Sequence, residues 1–211
     1  MAEITDTLRQ RRRQCPGCNR PMSHCLCSLI PDIAASTQVL VIQHPSEQRH
    51  ALNTARLLVA GVRGAKLLIA EQLTEQCTEM LMDPAFNTEL LFPGEGAQEV
   101  SIAVSDHRPR RLVLLDGTWR KARKILHLNP VLQNLPRVAL PAGLISHYRL
   151  RKAPGPGALS TLEAGMHALQ LIEPSADFSA LLVPFDALIE GQIQAMGPVT
   201  YQRNYLQLKD E

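Results

Sequence analysis

Short apolar runs, each closed by a charge, a glycine or a proline, recur along the chain at residues 39–42, 66–70, 88–92, 112–115 and 137–140. Their length and abrupt ends mark them as buried strands. Between them the apolar period lengthens to that of a helix. A helix is predicted over residues 47–60, with Leu52, Ala55 and Val59 inward. Another is opened by Thr118 and buries Trp119, Ala122, Ile125 and Leu126, and a third runs from Ser160 through Leu169 and Leu171. A last one, at 178–196, buries Leu181, Leu182, Leu188, Ile189 and Ile193. Residues 130–136 read as a loop or broken helix, and the tail after Pro198 as a packing strand or arm. Strands interleaved with helices predict an α/β fold with a mostly parallel sheet flanked by helices.

The bulk properties narrow this picture. With 211 residues and 45% hydrophobic content the chain suits one main domain with a small appendage. The appendage is residues 1–34, basic and cysteine-bearing, and the domain is residues 35–211. The start is polar and no apolar run approaches a membrane span. A cytoplasmic protein with no membrane and no obligatory protein partner is expected. Net charge is only +2, yet from Glu163 onward seven acids face two bases, so the preceding part carries the excess of positive charge. Such asymmetry suits contact with a polyanion, although basic runs are also solvated faces. Neither GxGxxG nor GxxxxGK[ST] occurs, which argues against nicotinamide and triphosphate sites.

The segment RRLVLLDGTWRKARKIL, residues 110–126, concentrates the candidate chemistry. It reads as strand, tight turn and helix, and in open α/β sheets ligands bind beyond the carboxyl ends of strands. Leu115 ends the apolar run, and the turn then carries the carboxylate of Asp116, the hydroxyl of Thr118 and the only tryptophan, Trp119. Arg120, Lys121, Arg123 and Lys124 follow. Two plainer roles compete: Asp116 capping the helix, and Trp119 filling core.

Near the amino terminus, after Arg9, Arg11, Arg12 and Arg13, four of the five cysteines lie in CPGCNRPMSHCLC: Cys15, Cys18, Cys25 and Cys27. A CxxC turn and a CxC in extended chain each aim two sulfurs one way. Four converging thiolates suit a closed tetrahedral zinc site, with disulfides or free thiols the weaker explanation in a reducing compartment. Structural zinc contributes on the order of 10–16 kcal/mol in small peptides. His24 reads as a bystander, and Cys77 as an isolated thiol.

Weaker signals complete the set. His44 ends the first strand, and Arg49, Asn53 and Arg56 fall near one helical stripe with His50 beside it. Such a stripe could grip phosphates or simply face water. Pro93, Gly94, Glu95 and Gly96 follow Phe92 in a loop whose glycines permit close backbone approach. Arg149 and Arg151 alternate before a Pro/Gly hinge at 153–158, and Ser160 with Glu163 makes a capping-box pattern. The amides at that helix start could also receive a carboxylate or phosphate.

Taken together, QHP at 43–45, LFPGE at 91–95, LDGTWRKA at 115–122, YRLRKAP and LSTLEA within 148–164, and the cysteine cluster resemble the DTW-domain family of tRNA-uridine aminocarboxypropyltransferases. The resemblance implies a knotted, SPOUT-like fold that binds S-adenosylmethionine and moves its 3-amino-3-carboxypropyl group to N3 of a tRNA uridine. The implied target is uridine 47 of the variable loop, with 5′-methylthioadenosine released. In that setting Asp116 would be the general base, Thr118 its support, and Trp119 with Phe92, Pro93, Gly94 and Leu115 part of the cofactor pocket. Ser160, Thr161 and Glu163 would hold the cofactor's amino-acid end. Arg49, Arg56, Arg120, Lys121, Arg149 and Arg151 would carry tRNA phosphates, while Cys15, Cys18, Cys25 and Cys27 hold structural zinc. An RNA methyltransferase of the same fold class and a non-catalytic zinc-bearing RNA-binding protein are the alternatives.

Overall fold

A computed structural model describes residues 13–101, 107–150 and 158–206. Six strands form one sheet: β1 (Gln38–Gln43), β2 (Lys66–Ile69), β3 (Asn87–Leu91), β4 (Gln98–Glu99), β5 (Arg110–Asp116) and β6 (Arg137–Ala139). Their order is β2-β1-β5-β3-β6-β4, and every neighbouring pair is parallel. The five expected strands are all present. β4, with two exposed residues, is too short to leave a pattern.

β5 starts two residues before its apolar run, and both extra residues are buried arginines. Arg110 donates to Glu89 at 2.5 Å and to the Ser101 carbonyl at 2.7 Å. Arg111 donates to Gln38 and to the Met80 carbonyl, with its guanidinium 3.8 Å from the centre of the Phe86 ring. These two cations are part of the scaffold.

Side chains alternate across the sheet, and each face has its own cover. Val39, Val41, Leu112 and Leu114 pack under α1 (Thr54–Gly61), α5 (Thr161–Ile172) and α6 (Leu182–Met196). Leu40, Ile42, Leu90 and Val113 pack under α2 (Glu75–Leu81), α3 (Trp119–Leu128) and α4 (Pro130–Asn134). Gly165 lets α5 sit close: a Cβ there would lie 2.5 Å from Leu58 Cδ2 and 3.3 Å from Leu114 Cδ2. No described helix is long and apolar enough to cross a membrane.

Three expectations need correction. The helix expected over 47–60 is split into a single 3-10 turn, Pro45–Glu47, and α1. Asn53 separates them, because its side chain caps α1 by accepting from the Arg56 amide at 3.2 Å. The buried face of α1 is consequently Thr54, Ala55, Leu57 and Leu58, while Leu52 and Val59 are only partly buried. The tail is no strand either: Gly197, at φ 82°, ends α6, and Pro198 opens α7 (Pro198–Tyr201). Proline suits a first helical position, where its missing N–H costs nothing. Lastly, α2 was not expected; it is mostly polar and buries Leu81 alone.

The topology places the site. From β1 the chain crosses by α1 to β2 on one side, and from β5 it crosses by α3 and α4 to β6 on the other. Crossovers of one hand running in opposite directions put their helices on opposite faces. A crevice therefore opens at the carboxyl ends of the adjacent strands β1 and β5. Gln43 and Asp116, paired in register, terminate those two strands.

Candidate active site and metal centre

Asp116 is 9% exposed, and its carboxylate is held from two elements. Gln43 Nε2 donates to Oδ2 at 2.8 Å, and Thr161 Oγ1 donates to Oδ1 at 2.5 Å. Behind Gln43 stands Asn53, which accepts from Gln43 Nε2 at 3.1 Å and donates to its Oε1 at 3.3 Å. One amide thus spans the cap of α1 and the acid at the end of β5. Thr118, expected to steady Asp116, instead caps α3 by accepting from the Lys121 amide. That also removes the helix-capping alternative for Asp116. Gly117 adopts φ 155°, and a Cβ there would lie 3.0 Å from Lys121 Cβ, so the turn requires glycine.

A cavity of about 220 Å³ adjoins this carboxylate. Leu115, Gly117, Trp119, Phe92 and Pro93 line one part of it, and Ser160, Thr161, Leu140 and Leu144 another. Trp119 is 36% exposed and meets Phe92 edge to face, with ring centres 5.7 Å apart. It walls the cavity and is not core. Asp116 itself lies behind this lining, and the hydroxyl between it and the cavity is that of Thr161. Gly94 stands outside the cavity at φ 154°, where a Cβ would be 3.4 Å from an Arg137 guanidinium nitrogen.

The capping box at the start of α5 is formed in full: Ser160 Oγ accepts from the Glu163 amide, and Glu163 accepts from the Ser160 amide. Glu163, 1% exposed, also takes hydrogen bonds from Ser146 Oγ at 3.0 Å and the His147 amide at 2.6 Å. Its carboxylate is committed to pinning that loop, and of the first-turn amides of α5, that of Glu163 is taken by the Ser160 hydroxyl.

His44 is fixed by a 3.2 Å bond accepted at Nδ1 from the Ser46 amide and by Glu71 at 2.7 Å from Nε2. Hydrogen bonds from Lys124 and His44 hold the Glu71 carboxyl below its usual range. Among the basic residues expected to meet RNA, Lys121 is paired with Glu47 at 2.7 Å and Arg149 with Glu190 at 2.9 Å. Arg49 and Arg120 are exposed. Arg151, Arg9, Arg11, Arg12 and the hinge at 153–157 lie outside the described residues.

The four cysteines come together as expected: all four sulfurs lie within 4.8 Å of one another. Cys15 Sγ is 3.5 Å from Cys27 Sγ and 3.4 Å from Cys25 Sγ. The Cys15–Cys18 turn is closed by Cys15 N to Arg20 O and Asn19 N to Cys15 O, with Asn19 at φ 55°. Gly17 is forced, since a Cβ would stand 2.8 Å from Cys27 Sγ. Amides of Cys18 and Gly17 and neighbouring thiols hold Cys15 at about 6, whereas hydrogen bonding with Cys15 and Cys25 pushes Cys27 up to about 12. Four thiols at one point cannot all ionise without a cation between them, so the donor set fits a tetrahedral metal of the zinc type. Cys77 stands apart as a free thiol, hydrogen-bonded to Thr74.

Gln43 was missed by the sequence reading. The available signal was a polar residue ending the otherwise apolar run VLVIQ, in register with the acid of the next buried strand.

An acid at a parallel-sheet switch point, an apolar cavity beside it and a four-cysteine segment describe a class of α/β protein with a built ligand pocket and an appendage able to hold a metal ion. The DTW domain matches residues 12–193, and the chain belongs to the DTW-domain family. The tRNA-uridine aminocarboxypropyltransferase 2 of Drosophila melanogaster is 33% identical over 95% of this chain and 82% of its own length. The enzyme of the same name in Mus musculus is 30% identical over 93% of this chain and 69% of its own. The tRNA-uridine aminocarboxypropyltransferase A of Arabidopsis thaliana is 30% identical over 79% of this chain and 75% of its own. No solved structure matches the chain.

Proposed function

We propose that this protein transfers the 3-amino-3-carboxypropyl group of S-adenosylmethionine to N3 of a uridine in tRNA, with uridine 47 of the variable loop as the target. The names of the relatives support the transfer and its substrate class. The single observation that carries the chemistry is Thr161, which lines the cavity and donates a hydrogen bond from its hydroxyl to Asp116.

Uridine N3 bears a proton and is a poor nucleophile until that proton leaves. In this reading the Thr161 oxygen accepts the N3 proton as its own proton passes to Asp116 Oδ1. Gln43 holds the far carboxylate oxygen so that the acceptor lone pair stays aimed at Thr161. General base assistance of this kind supplies roughly 10²–10⁴ in rate. The freed N3 forms a bond to the methylene next to the sulfonium, the carbon–sulfur bond breaks, and its electron pair leaves with neutral 5′-methylthioadenosine. Which of the sulfonium's carbons reacts is a matter of orientation. Phe92, Trp119, Leu140 and Leu144 offer apolar walls to the adenosyl part, and Ser160 with the first amides of α5 suits the amino acid's carboxylate.

Arg120, exposed beside Trp119, contacts the RNA backbone. The cysteine cluster holds zinc in a structural role, with residues 1–34 as a segment apart from a catalytic domain at 35–211. The knotted SPOUT-like arrangement and a cytoplasmic location belong to the same reading. The former is supported by an all-parallel sheet with α5 returning over β5 and α1.

The test is the by-product. Protein incubated with unmodified tRNA and S-adenosylmethionine is expected to release 5′-methylthioadenosine, with a matching mass gain on one uridine. Release of S-adenosylhomocysteine instead would make the protein a methyltransferase. Neither product would leave a binding protein.

A further inference from the structure

A second and larger concavity, of about 710 Å³, lies between the metal segment, the loop before α1 and the carboxyl-terminal part of α6. Its wall holds Arg20, Arg49, Arg56, His24 and His50 and, among the described residues, no carboxylate. Some exposed cations elsewhere are neutralised, Arg63 by Asp32, Lys124 by Glu71 and Arg149 by Glu190, while Arg120 and Arg123 are exposed without an ion pair among the described residues. Here, among the described residues, none of the three arginines has an acidic partner.

The arginines are held in other ways. Arg20 donates to the His24 carbonyl at 3.0 Å and to the Ala51 carbonyl at 2.9 Å, so it ties the metal segment to the loop before α1. Both of its donating nitrogens are thus committed to backbone carbonyls. Arg56 donates from Nη2 to the Gln48 carbonyl at 3.2 Å, and its buried Nε has no acceptor. A buried donor without an acceptor is uncommon and calls for a missing partner. Arg49 is exposed and unpaired. Two positive charges are therefore left uncompensated on one wall.

We propose that this groove is a second binding site, for a phosphodiester of the RNA backbone, seated chiefly by Arg49 and Arg56 and assembled only when the metal segment is folded. Guanidinium groups free of carboxylates match phosphate oxygens in charge and in fork geometry. The groove is also near enough to serve the same RNA as the cavity. Asn53 lines it, bonds Gln43, and Gln43 bonds Asp116, so two hydrogen-bonded side chains separate the groove wall from the acid. A strand whose uridine enters the cavity can lay a neighbouring phosphate here. Phosphate contacts fix register without reading bases, so this site selects by backbone shape. The inference rests on RNA being the substrate, as proposed for the cavity.

The experiment is equilibrium binding of unmodified tRNA to the full chain by fluorescence anisotropy across a series of salt concentrations. The double variant Arg49→Gln with Arg56→Gln is expected to bind at least tenfold more weakly. Its slope of log affinity against log salt should flatten by about 0.7–0.9 per lost contact. Arg49→Gln alone, an exposed side chain without a structural bond, should lose about half of that slope change, and Arg49→Lys should restore it. Arg63→Gln, an exposed and already paired arginine, should leave the slope unchanged. An unchanged slope in both Arg49→Gln and the double variant overturns the groove, as does a protein that binds polyglutamate but not tRNA. The product assay stays separate: wild-type protein that releases 5′-methylthioadenosine while the variants keep their slope sinks only the groove. A lost slope with no product from the wild type sinks only the catalytic reading.

Discussion

Asp116 has both oxygens engaged, one by an amide and one by a hydroxyl, and this decides how it can act. A carboxylate kept behind a threonine reaches a substrate proton most directly through that threonine. Asp116→Asn is expected to lower transfer by about 10²–10⁴ while the fold and S-adenosylmethionine affinity stay within a few-fold of wild type. Thr161→Val removes the relay and leaves an acceptor short of one donor, which costs about 1–3 kcal/mol of stability. It should lower single-turnover transfer as Asp116→Asn does, whereas Thr161→Ser should retain most of it. If Thr161→Val turns over at the wild-type rate and Asp116→Asn does not, the carboxylate meets the uridine directly.

At the scale of elements, α5 links the site to the start of the interior strand β1. Its first turn holds the Thr161 bond, and Glu173, the residue just past its end, takes the amides of Ser36 at 2.9 Å and Thr37 at 2.7 Å just before β1. Burial works to raise the Glu173 pKa, but hydrogen bonds from Ser36 and Thr37 prevail and hold it below the ordinary value of 4.5. With the folded pKa depressed, the charged carboxylate contributes stability that is complete above about 4.5 and fades as pH falls through the folded value. Glu173→Gln should therefore destabilise the protein at neutral pH by about 1.5–3 kcal/mol and lessen the loss of stability on acidification below 4.5. Thermal melts at pH 7 and pH 3.5 measure both. A variant whose melting falls equally at the two values would remove Glu173 as the pin. The elements themselves were largely legible in the chain. Buried parallel strands leave continuous apolar runs, and the Ser160–Glu163 box and the four cysteines sit within short windows that local rules cover. Gln43, Asn53 and the true start of α1 were not legible, because their roles arise from strand register and capping between elements. The same holds for Arg110 and Arg111, whose burial depends on Glu89, Gln38 and Phe86 meeting them from other strands and loops.

The whole molecule divides its labour between two regions that share little chain. The residues lining the cavity fall between Leu91 and Ala164, so the metal segment contributes none of them. That segment joins the body through the Ile33 amide to the Gly61 carbonyl at 2.9 Å, the Arg63 amide to the Ile33 carbonyl at 2.8 Å, and Arg20 to Ala51. Leu26 adds one buried side chain to the core. Ile30 packs against that core and Asp32 pairs with Arg63, so it is residues 13–27 that lean chiefly on a metal, because metal binding by four cysteines is itself the folding energy of such segments. Removing the metal with a strong chelator, or replacing Cys25 by serine, should release one equivalent of zinc, loosen the segment and dismantle the basic groove. The sheet and the cavity should remain. Calorimetric binding of S-adenosylmethionine is then expected to change by no more than two- to threefold, while tRNA affinity falls tenfold or more and its salt dependence flattens. Loss of both affinities together would mean that the metal supports the catalytic domain as a whole, and retention of both would leave the cysteine cluster without a part in RNA binding.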